Sequence, residues 1–355
     1  MSRFFSQNHA SLTAYTPGEQ PQDRRYVKLN TNESPFPPSP AVVQAAAEEA
    51  ARLQLYSDPE STLATKTVAD RYGVTPDMVL LTNGSDEILN YAFMAYGDAE
   101  RGFVCPDITY GFYPVFAAVN HVPLREIPLT DAFEIRAEDY CGVGANVVLA
   151  NPNAPTGRVL ALPEIERILV ENPDHVVIID EAYIDFGGVS CVPLVHKYEN
   201  LLVTQTFSKS RSLAGGRLGF GIGSPALIRD LRTIKYSTNP YNVNRMTAAC
   251  GAAAIADDAY YIRNAQTIVE NRTYTAAALT ERGFTVLPSA ANFLFVRPGF
   301  CSGGDLYRGL KARGVLIRHW DKPRIEDWCR ITIGTKDQMD ALLAAIDDMQ
   351  KEAVS

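Results

Sequence analysis

The sequence alternates short, strongly apolar segments with longer segments that repeat apolar residues at helical spacing, and this alternation limits the possible folds more than any other feature. The apolar segments are Val79–Thr82, 103–104, Asn146–Ala150, 175–180 and 201–203. Strands that are apolar along their whole length are buried on both faces, and strands separated by helices usually pair in parallel. The pattern therefore predicts an α/β fold with a mostly parallel central sheet flanked by helices.

Polar residues follow several of these segments, at the places where the predicted strands end. After the first strand the chain turns at Asn83-Gly84, and we expect a helix with Ser85 as its N-cap and Asp86 in its first turn. The free N–H groups of a helix N-terminus bind anions, but Asp86 would repel a phosphate, so the backbone and Ser85 would have to hold it. The alternative is an ordinary capped helix. Ligands of parallel sheets bind beyond the carboxyl ends of the strands, where these residues lie.

The pattern changes after about residue 245. Helices are expected over 246–256 and 260–282, followed by short strands, a further helix and a final helix whose capping box pairs Thr335 with Gln338. This mixture predicts a second, smaller α+β domain. The first forty residues are rich in Pro, Asn and Ser and cannot form a core alone. We therefore expect an N-terminal arm over 1–40 that packs on the small domain or a partner subunit, a large domain over 41–245 and a small domain over 246–355.

Composition and charge argue against several classes of function. The net charge is −8 and basic residues do not cluster, so we expect no nucleic-acid partner. No apolar run reaches about 18 residues, so we expect no membrane span, and the N-terminal residues lack the apolar core of a signal peptide. The six cysteines include no CxxC pair and the five histidines are isolated. We therefore expect reduced thiols, a cytoplasmic protein and no metal site.

The segment 204–221, TQTFSKSRSLAGGRLGFG, contains a single lysine shortly after a predicted buried strand. Lys209 is preceded by Thr206 and Ser208 and is followed eight residues later by Arg217, within a glycine-rich run. A lysine amine partly removed from water can attack a carbonyl group, and an arginine on a chain that glycine lets approach closely suits a phosphate. Together they indicate a phosphorylated aldehyde held as an imine, hence pyridoxal phosphate. The alternative is a solvated lysine in a glycine-rich loop.

Asp180 ends the apolar segment 175–180, and a carboxylate at such a place has three common uses. It can cap a turn, bind Mg²⁺ beside ATP or pair with a protonated pyridine nitrogen. An ATP site would need a G-x-x-x-x-G-K-[ST] loop, but the chain has no Gly-Lys pair, and the G-x-G-x-x-G dinucleotide fingerprint is also absent. Asp180 and Lys209, both at strand ends, fit a pyridinium partner and an imine lysine. Tyr183 could reach the cofactor's phenolic oxygen or simply pack as a half-buried aromatic residue.

Ten segments, taken together, resemble the histidinol-phosphate aminotransferase family, which are fold-type I pyridoxal-phosphate enzymes of aminotransferase classes I and II. In the family's order, from about residue 28 to 335, they are LNTNESPFPPSP, LYSDP, NGSDE, TYGFY, NPNAPTG, IIDEAYIDF, TFSKSRSLAGGRLGF, PYNVN, ANFLF and RITIGT. Each is weak alone, whereas the ordered set is specific. The resemblance implies the fold-type I transferase fold, pyridoxal 5'-phosphate as cofactor, and ping-pong exchange of an amino group between histidinol phosphate and 2-oxoglutarate or glutamate in histidine biosynthesis.

The resemblance also implies roles for individual residues around the cofactor. Lys209 matches the Schiff-base lysine, Asp180 the partner of the pyridine nitrogen, and Tyr183 the residue that bonds the cofactor's 3-oxygen. Tyr110 matches the aromatic residue stacked on the pyridine ring. The residues expected around the phosphate are Gly84, Ser85, Asp86, Thr206, Ser208 and Arg217.

Further roles concern the substrate and a second subunit. Tyr56 matches a phosphate contact supplied by the neighbouring subunit, so the resemblance implies a homodimer. Arg330 matches the arginine that binds the substrate's α-carboxylate, and Tyr15 and Arg318 match positions near its distal end. Arg324 lies close by in the sequence, but we expect it to form a surface salt bridge.

The sequence departs from the family at one position of the expected site. The family usually has asparagine directly before Pro-Thr-Gly, where it bonds the cofactor's 3-oxygen, and Ala154 stands here. A neutral hydrogen bond contributes ~0.5–1.5 kcal/mol net, so its loss should not abolish cofactor binding. Asn153 is a candidate to replace it.

Three other functions stay open on the sequence alone. An aromatic amino-acid aminotransferase would need a similar pocket, because imidazole and phenyl rings are alike in shape. A pyridoxal-phosphate-dependent decarboxylase of a phosphorylated amino acid would use the same scaffold. A non-enzymatic binding module would have no use for Lys209, Asp180 and Arg217 together. Amino-group exchange with 2-oxoglutarate separates the transferases from a decarboxylase, and a yellow chromophore bleached by borohydride separates all the enzymes from a binding module.

Overall fold

The computed structural model describes residues 2–10 and 12–354, except for the side chain of Val354, and its strands and helices alternate over the first two thirds of the chain. The strands are β1 (Val27–Lys28), β2 (Val79–Thr82), β3 (Phe103–Pro106), β4 (Leu124–Ile127), β5 (Asn146–Ala150), β6 (Val177–Asp180), β7 (Leu201–Thr206), β8 (Gly219–Gly223), β9 (Thr285–Val286), β10 (Phe293–Arg297), β11 (Val315–Leu316), β12 (Arg318–His319) and β13 (Cys329–Thr332). The helices are α1 (Pro40–Ala50), α2 (Thr62–Tyr72), α3 (Ser85–Tyr96), α4 (Tyr113–Val119), α5 (Leu162–Glu171), α6 (Pro225–Thr238), α7 (Arg245–Ala256), α8 (Asp258–Glu281), α9 (Gly303–Ala312) and α10 (Lys336–Val354).

Across the described residues, the largest sheet has seven strands in the spatial order β2-β8-β7-β6-β5-β3-β4. Neighbouring strands are parallel except around β8, which runs antiparallel to both β2 and β7. The prediction of a mostly parallel sheet is therefore confirmed. Because β8 runs the other way, its amino end meets the carboxyl ends of the remaining strands, and Gly219 pairs with both Thr82 and Thr206. Loops from six strands thus converge on one edge of the sheet.

The central strands form because alternate side chains pack into cores on opposite faces of the sheet. Ile179 and Val203 join one core, whereas Ile178 and Leu202, their neighbours in sequence, join the other. All four side chains are fully buried. Full burial of such a side chain stabilises the fold by roughly 1.5–3 kcal/mol, so the register of these strands is strongly fixed. The fixed register also fixes the positions of the strand ends, which carry the polar residues at the edge of the sheet where the loops converge.

The C-terminal part of the chain forms a separate layer built on the antiparallel sheet β12-β13-β10-β9. Helix α10 covers a core with Met339, Leu342 and Ile346, which are fully buried. Its predicted capping box is confirmed in both directions. The Thr335 amide donates to Gln338 Oε1 at 2.9 Å, and the Gln338 amide donates to Thr335 Oγ1 at 3.3 Å.

Two segments bridge the two layers, and one of them does not follow the expected domain boundary at residue 245. Helix α7, expected in the small domain, packs on α1 and α2, and its Ile255 joins the core of the large sheet. The N-terminal arm packs on the C-terminal part, where β1 pairs in parallel with β11 and Arg24 donates to the carbonyl of Ala312 at 3.0 Å. The arm then passes between the two layers before α1 begins.

Some elements gave no clear signal in the sequence. Strand β8 contains three glycines in five residues, and β4 exposes the side chains of Arg125 and Glu126. Within residues 2–10 and 12–354, no helix has both the length and the apolar character needed to cross a membrane. The same residues contain no group of three acidic, histidine or cysteine side chains arranged to hold a metal ion. The six cysteines are free thiols.

Candidate active site

A cavity of about 210 Å³ lies at the edge of the large sheet where the six loops converge. The predicted site residues that line it are Ser85, Asp86, Tyr110, Asp180, Tyr183, Thr206, Ser208, Lys209 and Arg217. They come from loops far apart in the sequence, from Ser85 to Arg217, and the strand register brings them together. Gly84 lies directly behind Ser85, at the end of the first of these loops.

Lys209 lies three residues beyond the end of β7 and points into the cavity. Its Nζ donates a hydrogen bond to the main-chain carbonyl of Thr31 at 3.2 Å and lies 5.8 Å from the centre of the Tyr183 ring. No carboxylate of the described residues forms an ion pair with Lys209 within 4 Å, so salt-bridge formation does not hold the amine away from a ligand. An amine in this position is available to attack a carbonyl group in the cavity.

Asp180 ends β6 as a buried carboxylate at the floor of the cavity, with only 4% of the residue exposed. Tyr113 Oη donates to its Oδ2 at 2.9 Å and Thr204 Oγ1 donates to its Oδ1 at 3.2 Å. Burial raises the pKa of Asp180 to about 6, against the opposing effect of these hydrogen bonds. No basic side chain of the described residues pairs with it. The site therefore fits a cationic ring nitrogen, which would compensate the buried charge.

The turn after β2 and the start of β8 form a narrow cradle of main-chain groups. Gly84 has φ +82° and is the N-cap of α3, so the prediction of Ser85 as N-cap is wrong, and Ser85 is the first helical residue. A Cβ on Gly84 would lie 2.7 Å from Nη2 of Arg217, and a Cβ on Gly219 would collide with the main-chain nitrogen of Ser85. Glycine is required at 219 by the close approach of the main chain, and it is favoured at 84 by the positive φ. A helix N-terminus beside an arginine fits a phosphate.

Asp86 occupies this cradle without a clash of charges, because Arg217 and Tyr110 both bond to it. Arg217 Nη2 donates to Asp86 Oδ2 at 3.1 Å, and Tyr110 Oη donates to Asp86 Oδ1 at 2.7 Å. Burial and the Asp86 carboxylate together raise the pKa of Tyr110 well above its usual value. On the opposite side, Thr206 Oγ1 donates to Ser208 Oγ at 3.0 Å. The expected repulsion between Asp86 and an anion is thus offset by Arg217.

Arg330 lies on β13, beside the cavity, and has an N–H group without a partner. Its Nη2 donates to the carbonyl of Asn30 at 2.9 Å, and its guanidinium lies 5.4 Å from the ring centre of Phe293 and 5.3 Å from that of Trp320. Nε is buried without a hydrogen bond, and burial lowers the pKa of the guanidinium. A desolvated guanidinium with a free N–H fits a carboxylate. Arg318 is its direct neighbour across the β12–β13 pair.

Other predicted residues lie outside the cavity lining. Tyr56 is 80% exposed and its ring stacks on Tyr241 with centres 4.7 Å apart. Tyr15 packs against Phe112 with the ring centres 4.3 Å apart and the planes tilted by 38°. Arg318 donates to two main-chain carbonyls of the arm at 3.2 Å each. None of these side chains reaches the cavity described above within this single chain.

Asn153 does not offer its amide to the cavity. Its Nδ2 donates to the carbonyl of Ile108 at 3.0 Å, and its Oδ1 accepts from Thr109 Oγ1 at 2.7 Å. These bonds hold two neighbouring loops together, so Asn153 does not replace an asparagine at position 154. The cavity wall there is the methyl group of Ala154. Arg324 forms the expected surface pair, with Nη1 donating to Asp107 Oδ2 at 2.6 Å.

Sequence reasoning missed the part of the arm that touches the site. The main-chain carbonyl of Asn30 accepts from Arg330, and that of Thr31 accepts from Lys209. The side-chain Nδ2 of Asn32 donates to Tyr183. Three consecutive residues therefore contact three predicted site residues. The polar run LNTNES was a signal for them, but its contacts depend on how the arm threads between the layers.

The fold and the cavity, with a lysine, a buried carboxylate and an arginine beside a helix N-terminus, suit an α/β enzyme that uses an anionic, ring-containing cofactor. The chain belongs to the aminotransferase class I and II family, whose model matches residues 24–346. It is similar to "Histidinol-phosphate aminotransferase 2" of Dechloromonas aromatica strain RCB, with 46% identity over 351 residues, which are 98% of this chain and 99% of the relative. Identity to the "Histidinol-phosphate aminotransferase" of Aromatoleum aromaticum is also 46%, over 98% of this chain and 99% of the relative.

Solved structures confirm the fold. The histidinol-phosphate aminotransferase of Sinorhizobium meliloti, solved in complex with pyridoxal-5'-phosphate, has a TM-score of 0.90 with this chain and 23% sequence identity. The similarity covers 99% of both chains. At this level of identity the comparison establishes the fold-type I architecture.

Proposed function

We propose that this enzyme transfers the amino group of histidinol phosphate to 2-oxoglutarate, with pyridoxal 5'-phosphate as its cofactor, as a step of histidine biosynthesis. The observation that carries the proposal is the assembly of Lys209, Asp180 and Arg217 around one cavity, with Arg330, whose Nε has no hydrogen-bond partner, beside it. The names of relatives that are 46% identical over nearly the whole chain support the choice of substrate.

Different residues of the cavity would bind different parts of the cofactor. Ser85, Thr206, Ser208 and Arg217 hold the phosphate, together with main-chain N–H groups at the start of α3. Asp180 pairs with the ring nitrogen, and Tyr183 donates to the 3-oxygen. The chemistry that the cofactor supplies when bound is an electron-accepting ring conjugated to the amino group that is exchanged.

Lys209 performs the proton transfers of the reaction. Its Nζ would anchor the cofactor, and when not so bonded the amine would act as the base for the proton on the substrate's α-carbon. The same Nζ would hold that proton and act as the acid that returns it. Asp180 keeps the ring nitrogen protonated throughout, because its burial makes an unpaired carboxylate unfavourable. Both half-reactions use the same pocket in turn.

Arg330 binds an anionic end of each substrate, and Arg318 can do so once its guanidinium releases the arm carbonyls of Thr16 and Pro17. Glutamate and 2-oxoglutarate present carboxylates, whereas histidinol phosphate presents a phosphate, and the planar guanidinium binds both groups through paired hydrogen bonds. The two arginines are adjacent across β12 and β13. Tyr15 lies near Gly111 at the same side and contributes an apolar ring surface for the imidazole.

The proposed enzyme is a homodimer in which Tyr56 reaches the phosphate of the neighbouring subunit. Support comes from the surface around Tyr56, where large apolar side chains are exposed. Leu53 is 57% exposed, Leu55 52% and Leu63 68%, and these values are high for leucine on a free surface. Free cysteines favour a reducing compartment, so we place the enzyme in the cytoplasm.

An aromatic amino-acid aminotransferase is the second candidate, because the adjacent rings of Tyr15 and Phe112 would accept a phenyl group as well as an imidazole. The deciding experiment compares kcat/KM for histidinol phosphate, phenylalanine and tyrosine with 2-oxoglutarate as acceptor. We expect the highest value for histidinol phosphate. A higher value for either aromatic amino acid would reassign the substrate, and release of CO₂ without formation of glutamate would reassign the reaction.

A further inference from the structure

Asn32 contacts Tyr183 from behind the cavity wall. Its Nδ2 donates a hydrogen bond to Tyr183 Oη at 2.9 Å, and the residue is only 1% exposed. Tyr183 lines the cavity, whereas Asn32 does not. Asn32 therefore acts on anything bound in the cavity through Tyr183 and not by direct contact.

The direction of the Asn32 amide is fixed by its other contacts. Thr332 Oγ1 donates to Asn32 Oδ1 at 2.9 Å, so Oδ1 is identified as the acceptor and Nδ2 must face Tyr183. The main-chain nitrogen of Asn32 donates to the same Thr332 Oγ1 at 3.0 Å, and Asn292 Nδ2 donates to the Asn32 carbonyl at 2.9 Å. The backbone of Asn32 has φ +58°, a conformation that asparagine and glycine adopt more readily than most residues.

This arrangement decides where the phenolic proton of Tyr183 points. Oη accepts a hydrogen bond from Asn32, which leaves its own proton free to donate towards the cavity. On the adjoining wall, Ala154 offers only a methyl group, and the amide of Asn153 is occupied in its own loop. Among the described residues that line the cavity next to Ala154, Tyr183 therefore provides the hydroxyl group that can donate a hydrogen bond into the cavity.

We propose that Asn32 is a positioning residue that turns the Tyr183 hydroxyl into a donor to the cofactor's phenolic oxygen and strengthens that donor. The inference rests on the proposed function, since it concerns the same pocket. A phenol that accepts one hydrogen bond becomes a better donor in the next, because the two bonds polarise each other. Asn32 also bonds to Thr332, two residues from Arg330 on β13, so the strand that carries the carboxylate-binding arginine is tied to the phenol.

The consequence is measurable in the colour of the bound cofactor. Negative charge on the cofactor's phenolic oxygen favours protonation of the adjacent nitrogen bonded to Lys209. A strong hydrogen-bond donor to that oxygen withdraws the charge and therefore disfavours this protonation. Loss of the Asn32 amide should weaken the donor and raise the pH midpoint of the visible absorption change. We expect an upward shift of about half a pH unit for Asn32→Gly.

Glycine is the suitable replacement because it keeps both main-chain bonds of residue 32 and suits its positive φ. Four proteins are compared as loaded enzymes: the wild type, Asn32→Gly, Tyr183→Phe and the double variant. We expect Tyr183→Phe to raise the midpoint further, and Asn32→Gly to have no additional effect on it in the Tyr183→Phe background. Asn292→Ala is the matched control, since it loosens the same segment without removing the donor, and it should lower Tm while leaving the midpoint unchanged.

The outcomes are distinct. A wild-type protein that forms no visible band with pyridoxal phosphate would contradict the proposed function itself. An intact band with an unchanged midpoint in Asn32→Gly, or an equal shift in the Tyr183→Phe background, would overturn the role of Asn32 alone. If Asn32→Gly does not fold, Asn32→Asp serves instead. Its carboxylate accepts the Tyr183 proton, so we expect a larger upward shift, and no shift would overturn the inference.

Discussion

Asp180→Asn should stabilise the cofactor-free protein and weaken its hold on the cofactor. Burial raises the pKa of Asp180 from 3.8 to about 6, a difference of roughly two units. A native pKa above the unfolded one means that the native state binds the proton more tightly. The contribution of Asp180 to the free energy of unfolding is therefore fully present below about pH 4. It falls by ~3 kcal/mol in total as the pH rises towards 6. Asparagine resembles the protonated acid and does not ionise.

The expected gain is smaller than this upper limit. The hydroxyls of Tyr113 and Thr204 now donate to a carboxylate and would have to share a neutral amide, which removes ~1 kcal/mol of the advantage. We expect Asp180→Asn to raise the free energy of unfolding by about 2 kcal/mol at pH 8 and to change it little at pH 4. Urea unfolding of the cofactor-free protein at both pH values measures the difference.

Glu181 provides a matched control, because it is also a buried carboxylate but lies outside the cavity lining. Burial raises its pKa to about 7, and the Cys191 amide and Gln205 Nε2 donate to it. Glu181→Gln should likewise stabilise the protein at pH 8, without weakening cofactor binding. Asp180→Asn should weaken binding at least tenfold, about 1.4 kcal/mol. If Asp180→Asn bound the cofactor as tightly as the wild type, the pyridinium assignment would be refuted, whereas a lack of stabilisation at pH 8 would contradict the raised pKa of the buried carboxylate.

Three further substitutions test other parts of the site. Lys209→Ala should lower kcat by at least about 10⁴-fold with little change in Tm, because its amine transfers the proton, and ordinary turnover in steady-state assays would contradict its role. Arg330→Lys should raise KM for 2-oxoglutarate by about 10- to 100-fold, since lysine cannot form the paired hydrogen bonds, and an unchanged KM would place the carboxylate elsewhere. Tyr56→Phe should raise the cofactor's Kd by about 5- to 10-fold while sedimentation still reports a dimer, and a monomeric protein with unchanged Kd would refute the shared site.

The mostly parallel sheet could be predicted because its signals are local. Mostly apolar segments such as Asn146–Ala150 are buried strands in the structure, and the capping box of Thr335 and Gln338 forms as its spacing indicates. Strand β8 could not be predicted in the same way. Its GFGIG sequence has little strand propensity, and glycine is needed there because Ile88 and the main chain around Ser85 approach too closely for a side chain.

The candidate site could be predicted where a residue follows a strand and not where it depends on long-range packing. Lys209 and Asp180 meet at one edge because β6 and β7 are parallel neighbours, and the alternation of the sequence already implies that arrangement. The contact of Asn32 with Tyr183 joins residues 151 positions apart, and no local pattern encodes it. The same limit explains Asn153, whose polar side chain next to the cavity is occupied by bonds to a neighbouring loop.

The most direct test of the account is to find the lysine that carries the cofactor. The purified enzyme is loaded with pyridoxal 5'-phosphate, reduced with borohydride, digested and analysed by mass spectrometry. The account predicts loss of the visible band and one modified peptide, with the cofactor's mass on Lys209. Attachment at another lysine, or a band that survives reduction with no modified peptide, would contradict it.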